Sequence, residues 1–192
     1  MELILVRHGQ TEWNASHRFQ GHTDVPLSAR GRGQASALAD ALRNMPFTHV
    51  YASDLVRALE TARAIAAPHG LRVATDARLR EFDFGAWEGL TWAQIVAREP
   101  ELGERAPTQA RLYAPTGGER FDQVVERVRF FFDEMLPGVG PRAYVLIVMH
   151  AGTLHAAIEV LRPQGVDPLG ISFAPAGITR LTMEEGRWRI IT

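Results

Sequence analysis

Two near-continuous apolar runs in this sequence stop abruptly at a histidine. Leu3-Ile4-Leu5-Val6 runs into Arg7-His8-Gly9, and Ala143-Tyr144-Val145-Leu146-Ile147-Val148-Met149 runs into His150-Ala151-Gly152. A short apolar stretch that ends at a glycine-containing turn reads as a strand buried on both faces, as in a parallel sheet. Open sheets of that kind bind ligands outside the carboxyl ends of their strands. Both histidines therefore fall where such a fold does chemistry, and Gly9 is expected to let backbone approach a small ligand. One histidine at a strand end is commonly structural; a second in the same setting points to a shared site.

The segments between these strands alternate in character. Ser28 suits the N-cap of a helix to about Asn44, with Ala35, Leu38, Ala39 and Leu42 on one face. Thr48–Ala52 reads as a second strand. Ser53 is expected to cap a helix carrying Leu55, Leu59, Ala62, Ile65 and Ala66, and Leu71–Thr75 reads as a third strand. Residues 15–27 read as a loop over the site and 76–90 as irregular. Thr91-Trp92-Ala93-Gln94 fits a capping box that opens a helix towards Arg98. A lid or loop insertion is expected around 82–120. Helices are expected over Phe121–Leu136 and Thr153–Leu161, and a hairpin joins Gly177–Met183 to Arg187–Ile191. Alternating strands and helices predict one α/β domain over residues 1–192, a three-layer α/β/α sandwich around a mostly parallel sheet.

Composition narrows the chemistry. The net charge of the 192-residue chain is −1, so no global field points to nucleic acid or a membrane surface. There is no cysteine, which removes thiolate nucleophiles and thiolate metal sites. All 21 basic residues are arginine, so a Schiff-base or phosphate-loop lysine is excluded. With no signal-like segment and no apolar run near the roughly 18 residues a bilayer requires, the expected setting is cytoplasmic.

Three further residues stand out. Arg57 lies near the start of a helix, where a cation opposes the helix dipole and calls for a nearby anion. Arg7 sits beside a buried strand and must be paired or bind something. A phosphoryl group answers both, because guanidinium forks match its oxygens. Glu81 stands among Phe82, Phe84 and Trp87, an apolar setting that could raise its pKa as a general acid requires. The other histidines, among them His17 and His22, lack ligand spacing and read as surface or loop residues, with His155 as a possible pocket wall.

Taken in order, these segments resemble the histidine phosphatase superfamily, the phosphoglycerate mutase-like fold. The resemblance rests on Arg7-His8-Gly9 with Thr11 and Trp13-Asn14, then on Gln20-Gly21, Asp24, Pro26-Leu27-Ser28, Gly31 and Gln34-Ala35. It continues through Ser53-Asp54-Leu55 with Arg57-Ala58 and Thr61-Ala62, through Phe84-Gly85-Ala86-Trp87-Glu88-Gly89 and Gly117-Gly118-Glu119, to the strand ending at His150. It implies His8 as a nucleophile that becomes phosphohistidine, with Arg7, Arg57 and His150 holding the phosphate oxygens. Glu81 would act as general acid and then general base. Asn14, Gln20, Gly21 and Ala151 would orient phosphate or leaving group, with no metal and no cofactor.

Two positions depart from the family pattern. Ala151 replaces the usual glycine after the second histidine, and Arg120 replaces a small hydroxyl residue after Gly118-Glu119, which would favour a substrate with a second anionic group. The segment Glu81 to Gly89 resembles the phosphatase branch, and Pro115 to Glu119 with Phe121 is similar to α-ribazole phosphatases. The mouth of the site is expected among Trp13, Phe19, Phe82, Trp87, Trp92 and Tyr113. The expected activity is hydrolysis of a small phosphomonoester by a monomer or homodimer that binds neither nucleic acid nor membrane. A cofactor-dependent phosphoglycerate mutase and a non-catalytic phospho-ligand binder are the alternatives.

Overall fold

Strand β1 (Glu2–Arg7) and strand β4 (Tyr144–Met149) lie side by side in parallel at the centre of the sheet, Leu5 opposite Ile147 and Arg7 opposite Met149. The computed structural model describes residues 1–103, 115–165 and 172–191. Leu3 to Val6 and Val145 to Met149 are all fully buried. Each such side chain stabilises the fold by about 1.5–3 kcal/mol relative to exposure. This is why both runs are unbroken rather than alternating.

The sheet has six strands in the order β3-β2-β4-β1-β5-β6, with β2 at His49–Ala52, β3 at Val73–Thr75, β5 at Ile178–Glu184 and β6 at Arg187–Ile191. Strands β3, β2, β4 and β1 are parallel; β5 and β6 run antiparallel as an edge hairpin. Its turn residues Glu185 (φ 49°) and Gly186 (φ 76°) both adopt left-handed backbone, as a two-residue hairpin requires. Alternate residues of the central strands feed opposite layers. Ile4, Val6, Leu146 and Val148 pack with helices α2 (Ala29–Ala41) and α3 (Val56–Ala66). Leu3, Leu5, Val145, Ile147 and Met149 pack with α5 (Phe121–Val139) and α6 (Ala151–Leu161). The three-layer sandwich is thus as expected.

Several boundaries differ for identifiable reasons. Ser53 does not cap α3. Leu55 occupies that position with no side-chain bond, and Asp24, from a distant loop, accepts the Val56 N–H at 2.7 Å. The expected loop over 15–27 is preceded by a one-turn helix α1 (Glu12–Ala15), closed by reciprocal Thr11 and Asn14 bonds. Helix α6 begins at Ala151, directly after His150, whose N–H donates to Thr153 Oγ1 at 3.1 Å. The Thr91–Gln94 capping box opens α4 (Trp92–Arg98) as expected. Of the lid expected around 82–120, residues 104–114 lie outside the described residues. No helix among the described residues is long and apolar enough to cross a membrane.

Candidate active site

The parallel topology carries four separate segments to one sheet edge. Strand β1 delivers Arg7 and His8, β4 delivers His150, the first turn of α3 delivers Arg57, and the irregular segment after β3 delivers Glu81. His8, Arg57 and His150 are almost completely buried, and Glu81 is 8% exposed. The His8 and His150 rings lie 5.0 Å apart between centroids.

Hydrogen bonds fix the tautomers. His8 Nδ1 lies 2.7 Å from the Gly9 carbonyl. A carbonyl only accepts, so the proton sits on Nδ1 and the Nε2 lone pair is free. For His150 the logic inverts. Arg57 Nε donates to His150 Nδ1 at 3.2 Å, which places the imidazole proton on Nε2. That Nε2 is buried without a hydrogen-bond partner among the described residues, and so is Nε of Arg7. Buried donors are normally satisfied, so the pair stands open to an anionic ligand.

Arg57 is held by carbonyls: Nη1 donates to Thr23 at 2.9 Å and Nη2 to Gly21 at 2.7 Å. Each terminal nitrogen keeps one further N–H. Arg7 Nη1 donates to the Phe173 carbonyl at 2.6 Å. Glu81 Oε1 accepts two backbone N–H groups, from Phe82 and Gly152, both at 2.9 Å. A Cβ on Gly152 would stand 2.4 Å from that oxygen. Glycine is therefore needed one position after Ala151.

The field of the site favours anions. Burial first, then the Arg57 and Arg7 guanidiniums, push the His8 pKa well below its ordinary value. Burial, then Arg57, His8 and Arg7, do the same to His150. Burial brings Arg57 down to about 10, against the opposing pull of Glu81, Asp24 and Glu88. Two guanidiniums beside neutral imidazoles favour an anionic ligand.

Other predicted residues fall into supporting places. Asn14 Oδ1 accepts the Thr11 N–H at 3.1 Å, leaving its amide NH2 beside a cleft of about 730 Å³. Arg7, Asn14, His17, Arg18, Phe19, Thr91, Trp92 and Pro175 are among the residues lining that cleft. Gln20 is buried and accepts from the Thr11 hydroxyl at 2.8 Å. Gly21 contributes its carbonyl to Arg57. Gly9, expected to allow ligand approach, has a packing requirement of its own. A Cβ there would meet the Gly31 carbonyl oxygen of α2 at 2.5 Å, so glycine is required for packing. Phe82 and Trp87 are core rather than mouth, whereas Phe19 and Trp92 wall the cleft; Tyr113 lies outside the described residues. Arg120 is 60% exposed and directs its guanidinium to Asp122.

Four supporting residues were given no role by the sequence, although Glu88 and Glu119 stand in segments that carry the family resemblance. His22 is not a plain loop residue: its Nε2 bonds the Glu81 carbonyl at 2.9 Å. Glu88 accepts the N–H groups of His22 and Thr23. Arg127 and Glu119 pair at 2.8 Å beside the Glu81 segment. Among the described residues no group of three or more His, Asp or Glu side chains could hold a metal ion.

Comparison with known proteins agrees with this geometry. Residues 3–192 match a family model described as the histidine phosphatase superfamily, branch 1. A glucosyl-3-phosphoglycerate phosphatase of Mycolicibacterium vanbaalenii is 37% identical over 171 residues, 86% of this chain and 76% of that protein. A 2,3-bisphosphoglycerate-dependent phosphoglycerate mutase of Gloeobacter violaceus is 33% identical over 178 residues, 89% of this chain and 81% of that one. The crystal structure of the α-ribazole phosphatase from Shigella flexneri superposes with a TM-score of 0.86 at 28% identity, covering 100% of this chain and 95% of that one.

Proposed function

This chain belongs to the histidine phosphatase superfamily and is a phosphatase, and we propose that it hydrolyses a small phosphomonoester, without metal, through a phosphohistidine on His8. The observation that carries this reading is the Nδ1 bond of His8 to the Gly9 carbonyl at 2.7 Å, which leaves Nε2 unprotonated among Arg7, Arg57 and His150.

The reaction runs in two displacements. The phosphate docks on Arg7, the remaining Arg57 N–H groups and His150 Nε2–H, with the Ala151 N–H at the start of α6 as a further donor. The Nε2 lone pair of His8 forms the N–P bond as the P–O bond to the leaving group breaks. Protonated Glu81 gives its proton to the departing oxygen. Glu81, now a carboxylate, then takes a proton from water as the water oxygen attacks phosphorus. The N–P bond breaks and its electron pair returns to Nε2. Guanidiniums supply the fixed positive charge that metal ions supply in other phosphoryl-transfer sites.

The cleft beside Arg7 and Asn14 carries Arg18 and His17 and no carboxylate among its described lining residues. A neutral or anionic leaving group suits it better than a cationic one. Asn14 and Gln20 orient the phosphate end, and a cytoplasmic setting suits an enzyme of a small phosphorylated metabolite. Mutase activity is the second reading, favoured by the mutase name of the Gloeobacter relative and the mutase-like name of an Arabidopsis thaliana relative.

Phosphate release from 3-phosphoglycerate, phosphoserine, α-ribazole phosphate, a sugar phosphate and an aryl phosphate tests the proposal, with chelator present and His8→Ala beside the wild type. Chelator-resistant release abolished by His8→Ala is expected. Interconversion of 2- and 3-phosphoglycerate without phosphate release would instead establish the mutase.

A further inference from the structure

The guanidinium of Arg127, on α5, has an acceptor for every one of its five N–H donors. Nη1 donates to the carbonyls of Arg78 at 2.6 Å and Arg80 at 2.7 Å. Nη2 donates to the Glu81 carbonyl and to Glu119 Oε2, both at 2.9 Å, and Nε donates to Glu119 Oε1 at 2.8 Å. The three carbonyls belong to one irregular stretch that ends at the residue assigned as general acid. Glu119 grips the same stretch from the other side: its Oε2 accepts the Asp83 N–H at 2.9 Å, and its own N–H donates to the Asp83 carbonyl at 2.9 Å. The backbone is thus fastened at residues 78, 80, 81 and 83 by one ion pair that is mostly buried.

Such saturation is not needed merely to hold a surface turn. The segment around Glu81 belongs to no strand or α-helix. Leu79 and Phe82 anchor it in the core with Val124, Val128 and Phe131 of α5. The Arg127–Glu119 pair supplies polar contacts to its backbone from α5 and the turn before it. From these contacts we infer that the Arg127–Glu119 pair is a positioning element for the proton transfers of Glu81, an inference that rests on the acid–base reading above. Neither residue touches the phosphate site: both act through the backbone that carries Glu81, and Arg127 adds only a minor long-range charge at His150. The pair therefore governs reactivity towards leaving groups that need a proton, and it leaves phosphoryl transfer from leaving groups that depart as stable anions nearly untouched.

The test measures kcat/KM, which reports steps up to departure of the leaving group, for 4-nitrophenyl phosphate and for glycerol 3-phosphate. Wild type, Glu81→Gln, Arg127→Ala and Glu119→Gln are compared, with thermal unfolding as a control. Glu81→Gln should lose far more on the alkyl than on the aryl ester, since a general acid contributes about 10²–10⁴-fold. Arg127→Ala should show the same bias at smaller size, about 10–100-fold on the alkyl ester, because misplacement by about 1 Å has that order of cost. Equal losses on both esters, or none, with the bias intact in Glu81→Gln, would overturn the positioning role while sparing the acid role. Absence of bias in Glu81→Gln would instead overturn the acid role. If Arg127→Ala does not fold, Glu119→Gln, which keeps size and half the acceptors, decides by the same comparison.

Discussion

Arg57 and His150 are joined through a ring nitrogen: Nε of the arginine donates to Nδ1 of the histidine at 3.2 Å. An arginine cannot accept, so this one bond decides that His150 offers an Nε2–H to the site and stays neutral while it does so. It also spreads one cation's influence over both imidazoles, since Arg57 helps to lower the pKa of His8 and of His150. In the proposed phosphate clamp, Arg57 is the hub of a coupled set.

Replacing that hub with lysine keeps a charge but loses the fork. Lysine cannot serve a ring nitrogen and two carbonyls in one plane. Arg57→Lys should lower kcat/KM for an aryl phosphate by about 10²–10³-fold, the scale of losing a preorganised transition-state donor. Steady-state kinetics on the folded variant checks this, and a loss below threefold would show that charge alone suffices.

The two buried histidines make stability depend on pH in a definite direction. Folded, both stay unprotonated well below their ordinary pKa of 6.5. Unfolded, both take protons near that pH. Below pH 6.5 the unfolded state therefore binds more protons, so stability is fully present above that pH and declines as pH falls. Each histidine contributes up to about 1.4 kcal/mol per pH unit of that decline. Urea midpoints at pH 7.5 and 5.5 for wild type and His150→Gln should differ less in the variant. An unchanged pH difference would refute the burial account.

Gly152 separates fold from chemistry. A methyl group there would press on Glu81 Oε1 at 2.4 Å and on Phe82 Cβ at 3.3 Å. Gly152→Ala should melt near wild type yet lose about 10–100-fold in kcat/KM on alkyl phosphates, because the acid is displaced. Gly9→Ala meets a backbone carbonyl instead, and should destabilise by about 1–3 kcal/mol as overpacking does. Melting curves and kinetics on the two variants would show the reverse pattern if these glycines had been misassigned.

Local chemistry made the centre of the molecule legible from the chain. Unbroken apolar runs announced β1 and β4, and their abrupt ends announced His8 and His150. The Thr91 to Gln94 spacing announced the cap of α4. What stayed hidden depends on residues far apart in sequence. Asp24, not Ser53, satisfies the first N–H of α3 from 32 residues away, and Arg127 meets the Glu81 carbonyl across 46 residues. The packing need for glycine at position 9 comes from Gly31, its neighbour in space, which belongs to another element. No periodicity within a window reports such meetings, so the contacts of His22, Glu88, Glu119 and Arg127 emerge only once the chain is folded, even though Glu88 and Glu119 stand in motif segments.

Glu88 is the clearest case of a support whose partners lie far away in sequence. Its Oε1 accepts the His22 N–H at 2.7 Å, and its Oε2 accepts the Thr23 N–H at 2.9 Å and the Thr23 hydroxyl. The turn so fastened is the one whose Gly21 and Thr23 carbonyls hold Arg57. Glutamine would turn one acceptor into an NH2 group facing a backbone N–H, leaving that donor unsatisfied at a cost of about 1–3 kcal/mol. It would also remove a negative charge that offsets the burial of Arg57. Glu88→Gln should therefore weaken competitive inhibition by inorganic phosphate and lower kcat/KM together, each by about tenfold, the equivalent of about 1.4 kcal/mol lost from the clamp. Loss of thermal stability with phosphate affinity unchanged would show that Glu88 pins the turn without shaping the clamp.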